Sequence, residues 1–404
     1  MLHILYIIHS ITLYGASRSV IELASELEKQ GQKAFFFLPC EGRIEERQSL
    51  KRILKDAGIS YMFLYYYPSV HTAQEKGRYP RKFRMRENKK CLQRMEEYAR
   101  LWEIDIIHTN CFTHTIGAQL SNIVEKPHVW HIREALKNDF AMLYDSKRLY
   151  RTAIGKTTRV ICISEYIAQT HRKMLSGSQV TVLHNGFDIH KYIIDNGFQR
   201  APELFTLLIC GSIREEKGQF DAVRAVENLV HHYQVKNIRL KLVGDGSKEY
   251  MEGIKSYIKR KKIESFVEIL PFQLELKSIR KEADVALMCS KNEAFGRVTI
   301  ESMLSENVVI GTNFAGTKEI IEDGVNGYLY EVGNIEDLSR KIYHVISHWN
   351  EQEKLVNRAK ESAQAKYDIG RYAKKMLEIY EEVRKDYFQK EEGHSYYAGL
   401  RGLD

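Results

Sequence analysis

An α/β chain of two doubly wound parallel-sheet domains is what this sequence predicts, on three observations. Its 404 residues exceed what one hydrophobic core usually holds, so two domains of roughly 150 to 200 residues are expected. The opening residues run apolar strand, glycine-bearing loop, amphipathic helix and apolar strand, a β-α-β unit whose crossover should be right-handed and whose strands should be parallel. The same alternation then starts afresh just beyond residue 200, after a polar stretch, DNGFQRAPE at 195–203, that reads as a boundary.

Taken in order, residues 2–8 (LHILYII) form the first strand. A helix follows at 17–29, with Val20, Ile21, Leu23, Ala24 and Leu27 on one side, ended by Gly31; residues 34–38 (AFFFL) are the second strand. Further strands are expected at 105–108, 129–132, 160–164 and 181–183. In the second half they are expected at 206–210, 240–243, 267–270, 285–289 and 308–311, separated by helices. Three consecutive helical patterns without a strand, at 335–349, 354–366 and 370–388, close the chain. The expected divisions are therefore 1–198, 199–369, a helix at 370–390 that returns to the first domain, and a loose tail at 391–404.

Composition narrows the class. Hydrophobic residues at 44% and charged residues at 28% are ordinary for a soluble globular protein, while 25 Gly and 6 Pro are too few for a disordered or collagen-like chain. The apolar opening is too short to span a bilayer and lacks a basic leader. The six cysteines at 40, 91, 111, 162, 210 and 289 form no C-x-x-C pair and several sit in apolar runs, which points to reduced thiols in the cytoplasm. Charge is uneven: residues 1–200 carry 30 Lys and Arg against 20 Asp and Glu, the remainder 31 against 33. Residues 78–94 (RYPRKFRMRENKKCLQR) concentrate Arg78, Arg81, Lys82, Arg84, Arg86, Lys89, Lys90 and Arg94 against one acid. Such a block suits an anionic partner, a membrane surface above all, or is a solvated helix face. No nucleic-acid module accompanies it.

In open parallel sheets ligands bind beyond the carboxyl ends of strands, and the chemistry-bearing motifs lie there. After the strand at 206–210 comes Gly211-Ser212-Ile213-Arg214-Glu215-Glu216-Lys217-Gly218. Its glycine turns the chain, and Arg214 and Lys217 precede a helix whose N-terminus favours anions. It is neither G-x-G-x-x-G nor a Walker loop. After the strand ending at Cys289 comes SKNEAFGRVTIE, in which Glu293 lies in the loop and Glu301 in the helix. Gly296 allows close backbone approach, so the amides from Phe295 to Val298 can meet an anion, while two carboxylates at different depths suit a polyol. After the strand at 308–311, Gly316 and Thr317 open a short helix, and Asp323-Gly324 and Asn326-Gly327 signal turns.

This succession resembles the retaining nucleotide-sugar glycosyltransferases of family 4, with the GT-B fold of two Rossmann-like domains facing across a cleft. The resemblance rests on G-x5-K-G (211–218), V-G-D-G (243–246), E-A-F-G within E-x7-E (293–301), and G-T-x-E-I-I-x-D-G-x-N-G (316–327). More weakly, Tyr14-Gly15-Ala16-Ser17-Arg18 is similar to the family's glycine loop and Leu183-His184-Asn185-Gly186-Phe187-Asp188 to its P-N-G-V-D strand end. The likeness implies that Arg214 and Lys217 hold the donor diphosphate, Glu293 contacts hydroxyls of the transferred sugar and Glu301 the ribose. Gly15, Gly211, Gly244, Ala294, Phe295, Gly296, Arg297, Val298, Gly316 and Thr317 would line the donor. His131 would be the N-domain histidine beside the sugar, with His108 its competitor.

The implied reaction moves a sugar from a nucleoside diphosphate, UDP-linked by expectation, to a glycan or lipid-linked acceptor, with retention and with no metal or cofactor. The expected setting is cell-surface polysaccharide or glycolipid assembly at the inner face of the plasma membrane. A nucleotide-sugar epimerase and a non-catalytic partner subunit are the alternatives. The sequence departs from the family pattern at Leu13-Tyr14-Gly15, where two glycines are usual, and at Ala315-Gly316, where a glycine pair is common.

Overall fold

The structure, a computed structural model, describes residues 1–13, 15–72, 79–136, 142–194, 198, 202–273 and 275–400, with side chains as far as 389. The chain divides into two compact units, residues 1–187 together with the segment from Ile369, and Asp188–Asp368.

The first unit is a seven-stranded parallel sheet in the order β3-β2-β1-β5-β6-β8-β9. Its strands are β1 (His3–Ile8), β2 (Lys33–Pro39), β3 (Ser60–Leu64), β5 (Ile106–Asn110), β6 (His128–Ile132), β8 (Arg159–Cys162) and β9 (Val180–Val182). A two-residue antiparallel pair, β4 (Val70–His71) with β7 (Leu143–Tyr144), stands apart. The central strands are buried on both faces, as helix-covered parallel strands must be, and so read as continuous apolar runs. β3 was not expected, because SYMFL lies at the sheet edge with only Leu64 fully covered and its pattern is weak. Helices α1 (Gly15–Lys29), α2 (Ile44–Asp56), α3 (Arg81–Leu101), α4 (Ile116–Val124), α5 (Lys147–Gly155) and α6 (Glu165–His171) connect the strands.

The second unit has six parallel strands in the order β12-β11-β10-β13-β14-β15. These are β10 (Phe205–Cys210), β11 (Ile238–Val243), β12 (Val267–Leu270), β13 (Val285–Met288), β14 (Val308–Thr312) and β15 (Tyr328–Tyr330). Its helices are α7 (Gln219–His231), α8 (Lys248–Lys261), α9 (Lys277–Lys281), α10 (Arg297–Leu304), α11 (Ala315–Ile320), α12 (Ile335–Ser347) and α13 (Glu353–Tyr367). Leu207, Ile209, Leu240, Leu242, Val285, Leu287, Val308 and Ile310 meet α7 and α12 in one core, each fully buried aliphatic side chain contributing about 1.5 to 3 kcal/mol. The turn signalled by Asp323-Gly324 and Asn326-Gly327 is present, Gly324 N–H donating to Gly327 O at 2.8 Å, and it brings Tyr328–Tyr330 alongside β14 as an edge strand that was not expected.

Two boundaries differ from expectation. The first unit ends at Phe187 rather than 198, because Tyr192 already belongs to the second: Ser305 Oγ donates to its carbonyl at 3.0 Å and Arg297 reaches its hydroxyl at 3.4 Å. Of the stretch read as a linker, residues 195–197 and 199–201 lie outside the described residues. The long helix α14 (Ile369–Leu400) lays Tyr372, Ala373, Met376, Ile379, Tyr380 and Val383 into the core of the first unit beside α1. It runs on to Leu400 where a loose tail was expected, since no proline interrupts its ladder after Phe388; residues 401–404 lie outside the described residues.

Both sheets reverse strand order beside their first strand, at β1/β5 and at β10/β13. Ligands of doubly wound sheets bind outside the carboxyl ends at that point. The loops after β10 and β13, which carry Arg214, Lys217 and Glu293, are therefore the expected positions.

Candidate active site

The loop after β10 is built by close backbone approach. A methyl group on Gly244 would lie 2.0 Å from the Gly211 carbonyl oxygen, and one on Gly246 2.3 Å from that of Ile213. Without side chains there, the ends of β10 and β11 continue side by side, with Gly211 N–H on Val243 O at 3.0 Å and Ile213 N–H on Asp245 O at 2.7 Å. Gly244, expected to line the donor, is thus accounted for by strand packing. Gly211 (φ +135°) and Gly218 (φ +69°) bracket the turn. A methyl on Gly218 would sit 2.1 Å from the Cys289 carbonyl oxygen, so this glycine locks the Arg214–Lys217 loop against the end of β13.

That locking brings two sequence-predicted residues together across 76 positions. Lys217 Nζ donates to Glu293 Oε2 at 2.6 Å, and Ser290 Oγ reaches the same oxygen at 3.2 Å. Each partner of the ion pair is about a quarter exposed, 24%. Arg214, extended at the head of the turn, has Nε 3.9 Å from Glu216 and its side chain 34% exposed. Lys291 pairs with Glu215 at 2.9 Å and its amide donates to Glu216 O at 2.8 Å, fastening the two loops together. Gly296 caps α10 in the left-handed region at φ +113°, so the first amides of that helix, from Arg297 and Val298, have no carbonyl of their own helix to meet. A cation, a carboxylate and a helix N-terminus come together beyond the ends of β10 and β13. This set can hold a diphosphate and the hydroxyls beside it.

Other expected ligands sit differently. Glu301 is 7% exposed and ion-paired with Arg280, itself 3% exposed, while Arg297 Nε lies 3.6 Å from its other oxygen. A carboxylate keeps further lone pairs for a hydroxyl, but it is not the open acceptor the sequence suggested. Gly316 does not present an open amide: its N–H donates to Glu293 O at 2.8 Å, and a methyl there would meet Phe295 Cα at 2.6 Å. It fixes the Glu293 loop instead. The Thr317 side chain is fully buried, its Oγ1 meeting no partner among the described residues, and Phe295 is 3% exposed, so both present backbone at most. Ala294 flanks Glu293 and is partly exposed.

In the first unit Gly15 opens α1 at φ +53°, and a methyl group on it would meet no atom within 4 Å; Tyr14 lies outside the described residues. His131 is fully buried on β6, its ring 5.4 Å from that of His108. Burial first, then the charge of Arg133, then a further imidazole (His108 for His131, His128 for His108), hold both histidines well below their ordinary pKa, so both are neutral. Sequence reasoning missed Arg133, which meets His131, and Asn110 and Asn185, which hold Arg133; the signal was the polar H-I-R-E immediately after an apolar strand. It also missed Arg280, which nothing in KSIRK distinguishes.

Of the basic block, Arg78 lies outside the described residues. Arg81, Lys82, Arg86, Lys89 and Lys90 are exposed on α3, Lys90 holding Glu87 at 2.8 Å. Arg84 is not part of that face: it is 7% exposed, ion-paired to Asp145 and bonded to Tyr79 O at 3.1 Å. Helical periodicity turns it inward with Asn88, Cys91 and Met95.

Two family models divide the chain between them, one described as Glycosyltransferase Family 4 over residues 14–191 and one as Glycosyl transferases group 1 over residues 193–362. The chain belongs to glycosyltransferase family 4. It is a glycosyltransferase with two parallel-sheet Rossmann-like domains, and its structural neighbours have the GT-B fold. It is 25% identical over 304 residues to N-acetyl-alpha-D-glucosaminyl L-malate synthase of Bacillus anthracis, a match spanning 72% of this chain and 78% of that protein. It is 27% identical over 288 residues to an uncharacterized glycosyltransferase of Methanocaldococcus jannaschii, spanning 69% and 76%. Anabaena HepE in complex with UDP and glucose is similar in fold, with TM-score 0.75, 22% identity and coverage of 94% of this chain and 99% of that one.

Among the described residues no helix is long and apolar enough to cross a membrane.

Proposed function

We propose that this glycosyltransferase moves a sugar from a UDP-sugar to an acceptor hydroxyl with retention at the anomeric carbon. The observation that carries the reading is the Lys217–Glu293 contact at 2.6 Å, beside Arg214 and the glycine-capped N-terminus of α10. One side chain meets the leaving diphosphate and the other the hydroxyls of the sugar next to it. HepE, similar in fold, holds UDP and glucose, which supports UDP as the nucleotide.

As the glycosidic bond to the diphosphate breaks, negative charge grows on the leaving oxygen. Arg214, Lys217 and the α10 amides stabilise it, donors already oriented before reaction. We propose that the leaving phosphate takes the proton of the acceptor hydroxyl on the same face, which gives retention without a carboxylate nucleophile. Glu301, held by Arg280 and Arg297, reads the ribose, and His131 meets a substrate hydroxyl. The acceptor is a glycan or a lipid-linked sugar of cell-surface assembly, approached with the chain resting on the inner leaflet through Arg81, Lys82, Arg86 and Lys89 on α3. Each such residue contributes about 1 kcal/mol at an anionic surface.

The test is incubation with UDP-, GDP- and ADP-sugars and an acceptor panel, with and without EDTA. A new α-glycosidic bond from a UDP-sugar that survives EDTA is expected. An interconverted donor with no new bond would identify an epimerase, and an inverted product would refute retention. Co-sedimentation with phosphatidylglycerol vesicles should fall in the combined Arg81→Gln, Lys82→Gln, Arg86→Gln, Lys89→Gln variant; unchanged binding removes the membrane reading.

A further inference from the structure

Arg133 stands just beyond β6, 5% exposed, and meets three neutral side chains. Its Nε donates to Asn110 Oδ1 at 2.5 Å, one terminal nitrogen donates to Asn185 Oδ1, and the other lies 3.2 Å from His131 Nδ1. A guanidinium has five N–H donors and no acceptor. Its contact with the imidazole therefore forms only when Nδ1 offers a lone pair. A neutral imidazole carries one N–H, so in His131 the hydrogen is on Nε2. That Nε2 is buried and meets no hydrogen-bond partner among the described residues.

The two asparagines, one at the end of β5 and one beyond β9, fix the plane of the guanidinium, and thereby the direction from which it approaches His131. A second proton on His131 would set an N–H against an N–H and a cation against a cation in a fully buried place. The other groups on this side are His108, whose Nδ1 lies 2.7 Å from the Tyr380 hydroxyl, and Tyr6, which that hydroxyl meets at 3.2 Å. Tyr372 lies near enough to feel the guanidinium charge.

We infer that Arg133 is a positioning residue that holds His131 as a neutral Nε2–H hydrogen-bond donor, so that His131 binds a ligand oxygen by donation and does not abstract a proton. This rests on the proposed contact of His131 with a substrate hydroxyl. It gives that contact a direction: the oxygen recognised is an acceptor such as a sugar hydroxyl, and the proton of the attacking hydroxyl goes elsewhere.

The experiment is two-bond proton–nitrogen correlation on the full chain labelled with 15N-histidine, from about pH 5 to 8, where an ordinary imidazole titrates. The His131 signal is assigned by its loss in His131→Gln. The Nε2–H pattern is expected throughout the range; an Nδ1–H pattern, or titration within it, overturns the inference, and the pattern itself is read on the wild-type chain. Arg133→Lys, which keeps a donor, should preserve the pattern. Arg133→Met, checked for folding by circular dichroism, should release it to a mixture or a titrating ring and add an inflection to the kcat–pH profile. A locked Nε2–H pattern in Arg133→Met would show that Arg133 does not set it. Transfer at the wild-type rate by His131→Gln would sink the substrate-contact reading alone, leaving the tautomer to be judged by its spectrum.

Discussion

Lys217 and Glu293 neutralise each other across their short contact, and in the proposed donor-binding mode a diphosphate competes with that carboxylate for Lys217. Glu293→Gln keeps the shape and an acceptor oxygen and removes only the charge. Two unit charges at about 4 Å attract by about 4 kcal/mol at an effective dielectric of 20. For side chains 24% exposed, desolvation and rotamer entropy cancel most of this, leaving on the order of 1 kcal/mol. Removing that competition should tighten UDP binding about fivefold at low salt, with the gain shrinking as salt screens the pair. A UDP-sugar should gain less than UDP, because its hydroxyls lose their charged acceptor, and transfer should slow. Isothermal titration of UDP and of UDP-glucose into both proteins at two ionic strengths reads the binding effects, and a transfer assay reads the rate. UDP binding that is unchanged or weaker in Glu293→Gln at low salt would refute the self-neutralised site.

Ala315 is a non-glycine residue at φ +53°, so Ala315→Gly should raise stability, by up to about 1 kcal/mol, as relief of left-handed strain outweighs the entropy of the unfolded glycine; a melting temperature that falls would contradict this. Arg280→Gln leaves Glu301 buried without its closest cation and should destabilise the second unit by about 3 to 5 kcal/mol, measured by denaturant unfolding, with UDP affinity lowered as well. Burial lowers His9 to about 4 and His114 and His128 to about 3. Because the unfolded chain binds these protons first, stability is full above about pH 6.5 and falls as pH drops toward 3 to 4, by up to about 1.4 kcal/mol per pH unit per histidine. A melting temperature flat from pH 6.5 to 4.5 would refute it.

The parallel strands were legible because helix-covered strands must be apolar on both faces, as in AFFFL and TLLIC. The cationic loop and the Glu293 loop were legible because each follows such a strand and ends in glycine. Two of the four edge strands were not: SYMFL and YLY are short, half-covered and flanked by turn residues. The partners of buried charges were equally hidden. Arg280 finds Glu301 from 21 positions away, and Arg133 finds Asn185 from 52, distances over which periodicity carries no information. Gly244 and Gly316 were read as ligand-facing because a glycine needed for backbone packing looks, in sequence, like one needed for phosphate. Arg84 was counted with its basic neighbours because composition does not say which way a helix faces.

The amide of Ile369 donates to the carbonyl of Phe187 at 2.9 Å, and Gly186 has no room for a side chain against Tyr372, a methyl there falling 2.5 Å from its Cβ. The chain therefore leaves the first unit and re-enters it at a single stitched point. Seen from that unit, the whole of 188–368 is a guest carried in one loop, and swapping it in or out would require only two cuts lying side by side. Exchange of that whole unit would leave the host sheet, and the helix that completes it, undisturbed.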